Sequence, residues 1–303
     1  MKIAYFGAVR FSQHCLHVVL QAGGNVVGVY SPSRRGTGPI ADGGDLAGIA
    51  RANQIPFRKF SRTDEPGLLD EVRKQKPDII FVFGLSKLIS PSLLALPPLG
   101  AIGSHPALLP EHRGRHPLIW ALIENLSESG LTFFYLTPGI DDGDILWQKK
   151  FSISKEDNAG TLYSTIERIA SEAIPQFLPQ LENGTAPRLS QDGARATYWR
   201  KRTISDGEVQ WDSPGISIYN LVRALTRPYP GATTSGIAKS MVLWRCALPT
   251  LSDGDGAVPG QILSVNEKSF CVRTGDGVIN VIDWQLLSGK NIKVGERLGG
   301  AHS

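Results

Sequence analysis

Residues 77 to 84 read PDIIFVFG, and the five residues Ile79 to Phe83 offer no polar face at all. A strand exposed to water on one side alternates polar with apolar residues. A run this short with no alternation is therefore expected at the centre of a parallel sheet covered by helices on both faces. The preceding sequence supplies the partners: KIAYFG reads as a buried strand, a helical spacing follows through Leu16, Val19 and Leu20, and NVVGVYS reads as a second strand, together a βαβ opening. Helices are expected in DLAGIARANQIPF and GLLDEVRKQK, further strands in GAIGSH and GLTFFYLT, and a helix from Thr161 to Leu181 that ends near Gly184. The fold class is α/β with a mostly parallel sheet.

The pattern changes after the polar stretch GARATYWRKRTISDGE. A short amphipathic helix, ISIYNLVRAL, stops at RPYPG; short strands SMVLWRCAL, GQILSV, SFCVRT and GVINVIDWQL follow, punctuated by SDGDG and TGDG. This reads as a small β-barrel. The expected division is 1–190, a linker 191–204 that includes Arg200, Lys201 and Arg202 as a solvated face, and a β-rich unit 205–303 with Trp244 and Trp284 in its core or interface. Cys15, Cys246 and Cys271 are odd in number and scattered, which argues against a disulfide framework and fits a reducing cytoplasm. The opening apolar run is too short for a leader and no run is long enough to span a membrane, so neither export nor insertion is expected. The net charge of +4 vanishes over residues 205–303, where nine basic residues face nine acidic ones. A chain built to grip a polyanion concentrates positive charge, and this one does not.

The turn after the first strand, GAVRFS, lacks both the GxGxxG dinucleotide fingerprint and the GxxxxGK[ST] phosphate loop, which disfavours nicotinamide or ATP chemistry. In open α/β sheets ligands sit beyond the carboxyl ends of the strands. Two segments qualify: GAIGSHPALLPEHRGRHPLIW, residues 100–120, and TPGIDDGDIL, residues 137–146. His105 lies just past one strand end and Asp141 at the end of the next, separated by a helix in PLIWALIENL. An imidazole with a carboxylate partner is the usual general acid/base unit; a structural or capping role stays open beside it. A metal site from His105, His112, His116, Asp141, Asp142 and Asp144 is the rival, disfavoured because the histidines lack a regular helical spacing. No metal is expected.

The segments SHPALLPEHRGRHPLIWALI and SGLTFFYLTPGIDDGDILWQ, followed by YWRKRTISDGEVQW and LVRALTRPYPGA, resemble the folate-dependent formyltransferases, in particular methionyl-tRNA formyltransferase and the sugar N-formyltransferases. The resemblance covers most of the chain. It implies a Rossmann-like formyltransferase domain followed by a small barrel of OB type, with N10-formyltetrahydrofolate as formyl donor. His105 stands at the position of the catalytic histidine and Asp141 at that of its aspartate partner. Lys87, Leu88 and Ile89, with Thr137, Pro138, Gly139, Ile140 and Asp141, match backbone segments that line the folate pocket, and Arg115 aligns near the cofactor. Gly103 departs from the pattern. The family carries Asn there, donating to the oxyanion of the tetrahedral intermediate. Losing one such donor typically lowers the rate by about 10² to 10³. Expected replacements are the Ser104 hydroxyl, a backbone N–H, a water or a protonated His105. Ala107 also replaces a serine.

The expected acceptor is the amine of a nucleotide-linked amino-deoxy sugar that feeds surface glycans, with 4-amino sugars of the pseudaminic-acid type as a subgroup. Initiator methionyl-tRNA is the second reading. Against it stand the neutral C-terminal unit and a short SPSRRGTGPIADGGD loop whose basic residues are only Arg34 and Arg35. Carrier-bound aminoacyl groups are a further acceptor class, and a formyl-folate hydrolase or a binding module remains if Gly103 is uncompensated. No membrane partner is expected, nucleic acid is disfavoured, and the C-terminal unit reads as a structural or oligomerisation module that would serve a homodimer.

Overall fold

The computed structural model describes residues 1–33, 42–236, 239–251, 256–289 and 291–299; Arg34 and Arg35 lie outside these. The chain divides into two compact units. The first comprises Met1–Pro117, Glu128–Ser152 and Tyr163–Arg200, the second Leu118–Ser127, Ile153–Leu162 and Lys201–Ser303.

In chain order the first part of the sequence forms β1 (Lys2–Gly7), α1 (Arg10–Gln21), β2 (Asn25–Pro32), α2 (Leu46–Ala52), β3 (Phe57–Phe60), α3 (Pro66–Gln75), β4 (Ile79–Phe83), α4 (Pro91–Leu94), β5 (Ala101–His105), β6 (Arg113–Gly114), α5 (Pro117–Ile123), β7 (Glu128–Tyr135), β8 (Ile145–Ser152), α6 (Ala159–Glu182) and β9 (Tyr198–Trp199). Seven strands make one sheet in the order β3-β2-β1-β4-β5-β7-β8. The five from β3 to β5 are parallel, β7 pairs antiparallel with β5, and β8 antiparallel with β7. β4 sits at the centre, with every residue buried. Phe6, Tyr30, Ile80 and Val82 meet Leu68 and Val72 of α3 on one face, while Phe81 and Phe133 meet Phe177 of α6 on the other. That two-sided cover is why the β4 run has no polar positions.

Four strands of the first unit, β3, β6, β8 and β9, go beyond the sequence expectation. β3 is a four-residue edge strand, FRKF, with Lys59 exposed and Arg58 half-buried against Glu65 and Glu71. β8, ILWQKKFS, carries Gln148, Lys149 and Lys150 in succession on exposed positions, which hides its period. β9 lies in the stretch expected as linker and pairs in parallel with β6, Arg113 opposite Tyr198 and Gly114 opposite Trp199.

The second unit adds α7 (Gly215–Leu225), β10 (Ala232–Gly236), β11 (Lys239–Cys246), β12 (Thr250–Leu251), β13 (Ile262–Val265), β14 (Phe270–Arg273) and β15 (Gly277–Leu286). Its antiparallel sheet runs β10-β11-β15-β14-β13, with β12 on β15. The last described segment spans the two edges: the Leu298 N–H donates to Gly260 beside β13, and the Gly299 N–H to Ser235 of β10. Trp284 packs edge-on to Phe270, with ring centroids 5.0 Å apart. Arg202, expected on a solvated face, is instead buried, its guanidinium 5.1 Å from the centre of the Trp120 ring.

Candidate active site

The first βα turn binds itself. Ser12, fully buried, accepts the Ala8 and Val9 N–H groups on its hydroxyl (3.0 and 3.1 Å) and donates to the Phe83 carbonyl at 2.6 Å. The amides that a phosphate loop would present to an anion are thus already taken.

The candidate chemistry lies one strand beyond β4. Alternation along β5 puts Ala101, Gly103 and His105 on one face and Ile102 and Ser104 on the other. Gly103 is in register with Val82 on β4 and Phe134 on β7, and Ser104 with Phe133. His105 closes the strand and is only 4% exposed. Its Nδ1 lies 3.5 Å from Asp141 Oδ2, and its Nε2 lies 2.7 Å from the His112 carbonyl. A carbonyl only accepts, so Nε2 carries the ring proton and donates it there. Nδ1 then faces the carboxylate, and a second ring proton on Nδ1 would also find an acceptor.

Three loops hold this pair. Thr132, fully buried opposite His105, donates to the Ala107 carbonyl (2.7 Å) and accepts from Gln148 Nε2 (2.9 Å), which also donates to the Leu109 carbonyl (2.9 Å). Residues 106–110 are thereby tied to the sheet. The turn 112–116 follows, with His112 (φ 62°), Gly114 (φ 107°) and His116 (φ 58°) all at positive φ. The Gly114 N–H donates to Asp141 Oδ2 at 2.9 Å. A Cβ on Gly114 would strike the Trp199 carbonyl oxygen, so only glycine fits between β9 and the carboxylate. His112 stacks on Trp199 at 4.1 Å, which assigns it a packing role.

The third loop carries Asp141 itself at φ 50°. Within it the Thr137 hydroxyl donates to Asp142 and accepts the Gly139 N–H at 3.1 Å; Asp142 is engaged in turn chemistry. Pro138 is exposed and Ile140 is 50% exposed. On the β4 side, Lys87 donates to the Ser61 carbonyl (2.7 Å), the Leu88 carbonyl accepts from Thr63, Leu88 is 71% exposed and Ile89 packs on the core. Arg115 joins this segment to the turn by donating from Nη1 to the Ser86 carbonyl at 2.7 Å, while its buried Nε has no hydrogen-bond partner among the described residues. The residues singled out from the sequence thus lie on three segments tied to one another around His105.

The space above Gly103 is filled. A Cβ there would lie 2.6 Å from Leu136 Cδ2 and 3.2 Å from Phe134 Cε1. Ser104 faces away from His105, and the Gly103 backbone lies inside the sheet between β4 and β7. Among the described residues, no group of three or more His, Cys, Asp or Glu is placed to hold a metal ion. Gln191 carries no sequence signal: it is a single polar residue in a polar stretch, which no periodicity marks.

The formyl transferase family model matches residues 1–178, and the formyl transferase C-terminal domain model matches residues 202–302. The chain is 30% identical over 302 residues to the methionyl-tRNA formyltransferase of Ruminiclostridium cellulolyticum, covering 99% of this chain and 96% of that protein. Among solved structures it resembles the N-formyltransferase from Helicobacter canadensis, crystallised with folinic acid and dTDP-3-aminofucose. The TM-score is 0.67 at 18% identity, covering 94% of this chain and 100% of that one. It also resembles a variant of HypX from Aquifex aeolicus, with a TM-score of 0.68 at 17% identity, covering 93% of this chain but only 45% of HypX.

Proposed function

Because this chain belongs to the formyl transferase family, we propose that His105 and Asp141 carry the transfer of a formyl group from N10-formyltetrahydrofolate to the amine of a nucleotide-linked amino sugar. The observation that carries the chemistry is the buried imidazole held between Asp141 and the His112 carbonyl at the end of β5. The amine nitrogen attacks the formyl carbon, the new C–N bond forms, the bond to N10 breaks, and the proton lost by the amine is balanced by the one N10 gains. With a proton on Nδ1, Asp141 accepts from it and orients the ring; Nε2–H turns from the His112 carbonyl to the reacting atoms, gives its proton to N10 as the C–N10 bond breaks, and takes up the proton that the amine loses. A positioned acid/base of this kind contributes about 10² to 10⁴ in rate.

In this reading His105 also takes over the task of the missing asparagine. Ser104 lies on the wrong face and the Gly103 amide is within the ladder, so among these groups the Nε2–H of His105 is the donor that serves the developing oxyanion. Lys87, Leu88, Ile89, Arg115 and residues Thr137 to Asp141 would line the folate. The exposed Leu88 and Ile140 side chains suit its aromatic rings, and the free Arg115 Nε–H suits a polar group of it.

The balanced charge of residues 205–303 supports a small acceptor over a nucleic acid. The second reading, transfer to methionyl-tRNA, is favoured by the 30% identity to the Ruminiclostridium enzyme. Mass spectrometry of products from the purified protein, N10-formyltetrahydrofolate and a panel of dTDP- and UDP-linked amino sugars beside methionyl-tRNA separates the two. A gain of one formyl mass on a sugar is the expected result. Formylation of the tRNA alone would overturn the acceptor reading, and formate release without any formylated amine would overturn transfer itself.

A further inference from the structure

Gln191 holds the Asp141 loop by its backbone, whereas His105 meets the Asp141 carboxylate. Its Nε2 lies 2.9 Å from the Asp141 carbonyl and 2.6 Å from the Gly143 carbonyl, and its Oε1 lies 3.1 Å from Arg113 Nε and 2.7 Å from Arg113 Nη2. The amide can be oriented in one way only, since guanidinium groups only donate and carbonyls only accept. Arg113 is 5% exposed, and its Nη1 donates to the Tyr198 hydroxyl at 3.0 Å. Asp141 sits at φ 50°, a left-handed conformation uncommon outside glycine though better tolerated by aspartate and asparagine than by most residues, and the clamp holds its backbone there. Gly143, two residues on, is pressed against the Tyr135 carbonyl with no room for a Cβ. Both backbone carbonyls that flank this strained turn therefore end on one side-chain amide.

We propose that Gln191 is a positioning residue for the reaction: it fixes the backbone of Asp141 so that the carboxylate meets His105 Nδ1 and the Gly114 N–H together. The role rests on the catalytic reading of His105 and Asp141 given above. It also assigns a task to the stretch between α6 and β9. Through Gln191 and the β6–β9 pairing, residues 191–199 support the carboxylate and the turn that carries the His112 carbonyl.

Two substitutions separate positioning from simple packing. Gln191→Glu keeps the acceptor that Arg113 needs, but it replaces the N–H donor by an oxygen facing two carbonyls. Gln191→Ala removes both functions. If Gln191 positions Asp141, Gln191→Glu stays folded with its Arg113 contact, while kcat falls about 10- to 100-fold with KM for the formyl donor little changed, as a misplacement of about 1 Å can produce. The second readout does not depend on turnover. With ¹⁵N-histidine labelling, the His105 Nδ1 and Nε2 signals should move in Gln191→Glu and Gln191→Ala in the same direction as in Asp141→Asn. Wild-type His105 signals and wild-type kcat in Gln191→Glu would overturn the proposal and leave Gln191 as a packing partner of Arg113. A wild-type protein that formylates no acceptor would refute the functional reading, while the ¹⁵N signals would still decide whether Gln191 governs the His105–Asp141 contact.

Discussion

Replacing Gly114 by alanine tests the geometry of the turn that joins β9 to the carboxylate. Gly114 has φ 107°, and the added Cβ would collide with the Trp199 carbonyl oxygen while lying 3.3 Å from Trp199 C and 3.4 Å from Trp199 N. All three atoms are backbone and cannot rotate away. A non-glycine residue in such a conformation costs about 1–3 kcal/mol, and overpacking against a fixed neighbour adds about 1–3 kcal/mol, giving a loss of about 2–6 kcal/mol. Gly184 supplies the control: it also has positive φ, 69°, but nothing lies within 4 Å of where its Cβ would be. Gly184→Ala should therefore show only the backbone penalty, about 1–2 kcal/mol. Urea unfolding followed by near-UV circular dichroism reads the difference as a shift in midpoint at constant slope. Gly114→Ala should also lose activity beyond its stability loss, since its N–H reaches Asp141 Oδ2 at 2.9 Å. Equal midpoints for the two variants would refute the close approach of Trp199.

Other outcomes follow from the same contacts. Gly103→Asn alone should slow the enzyme further, because Leu136 occupies the side-chain space; with Leu136→Ala as well, kcat should recover at least about tenfold over Gly103→Asn, within the range of one oxyanion donor, and no recovery would show that the space is closed by something else. Arg223, 5% exposed, donates to the Ser154 and Asp157 carbonyls, Asn125 and Asn220, and burial lowers its pKa against the opposing pull of Tyr219, Asp157 and Glu156. Arg223→Met strands the buried Asn220 acceptor at about 1–3 kcal/mol and removes three part-buried bonds, so proteolysis of the second unit should accelerate at equal protease. The Glu65 carboxyl is held below its ordinary value of 4.5, first by the Ser61 N–H, against burial, and then by the Arg62 N–H and Arg58. Its stabilisation is therefore present above that value and lost as the pH falls through the lower folded one; in Glu65→Gln, thermal stability measured from pH 6 to 3 should fall less steeply than in wild type.

The sequence was legible where one force acted alone. Ile79 to Phe83 revealed the sheet centre because burial on both faces leaves no other composition. His105 and Asp141 were legible through strand ends and the family resemblance, and the structure places their side chains 3.5 Å apart. Legibility failed where tertiary partners decide. Gln148 is part of a polar run, yet its amide ties the loop after β5 to Thr132. Arg202 is charged but finds a ring and a carbonyl inside the second unit. Gln191 acquires meaning only once Arg113, Asp141 and Gly143 surround it. Gly103 marked a missing donor in the sequence, but Leu136 leaning into its place is a fact of three dimensions.

The most direct test of the account follows a ¹³C-labelled formyl group from N10-formyltetrahydrofolate by NMR in wild type and His105→Ala, with donor binding measured in parallel by calorimetry. The account predicts an amide-bound ¹³C formyl signal on the acceptor in wild type, and in His105→Ala donor binding within about threefold but transfer slower by about 10² to 10⁴. Undiminished transfer by His105→Ala would contradict the assignment of the imidazole, and ¹³C-formate as the sole wild-type product would contradict transfer to an amine.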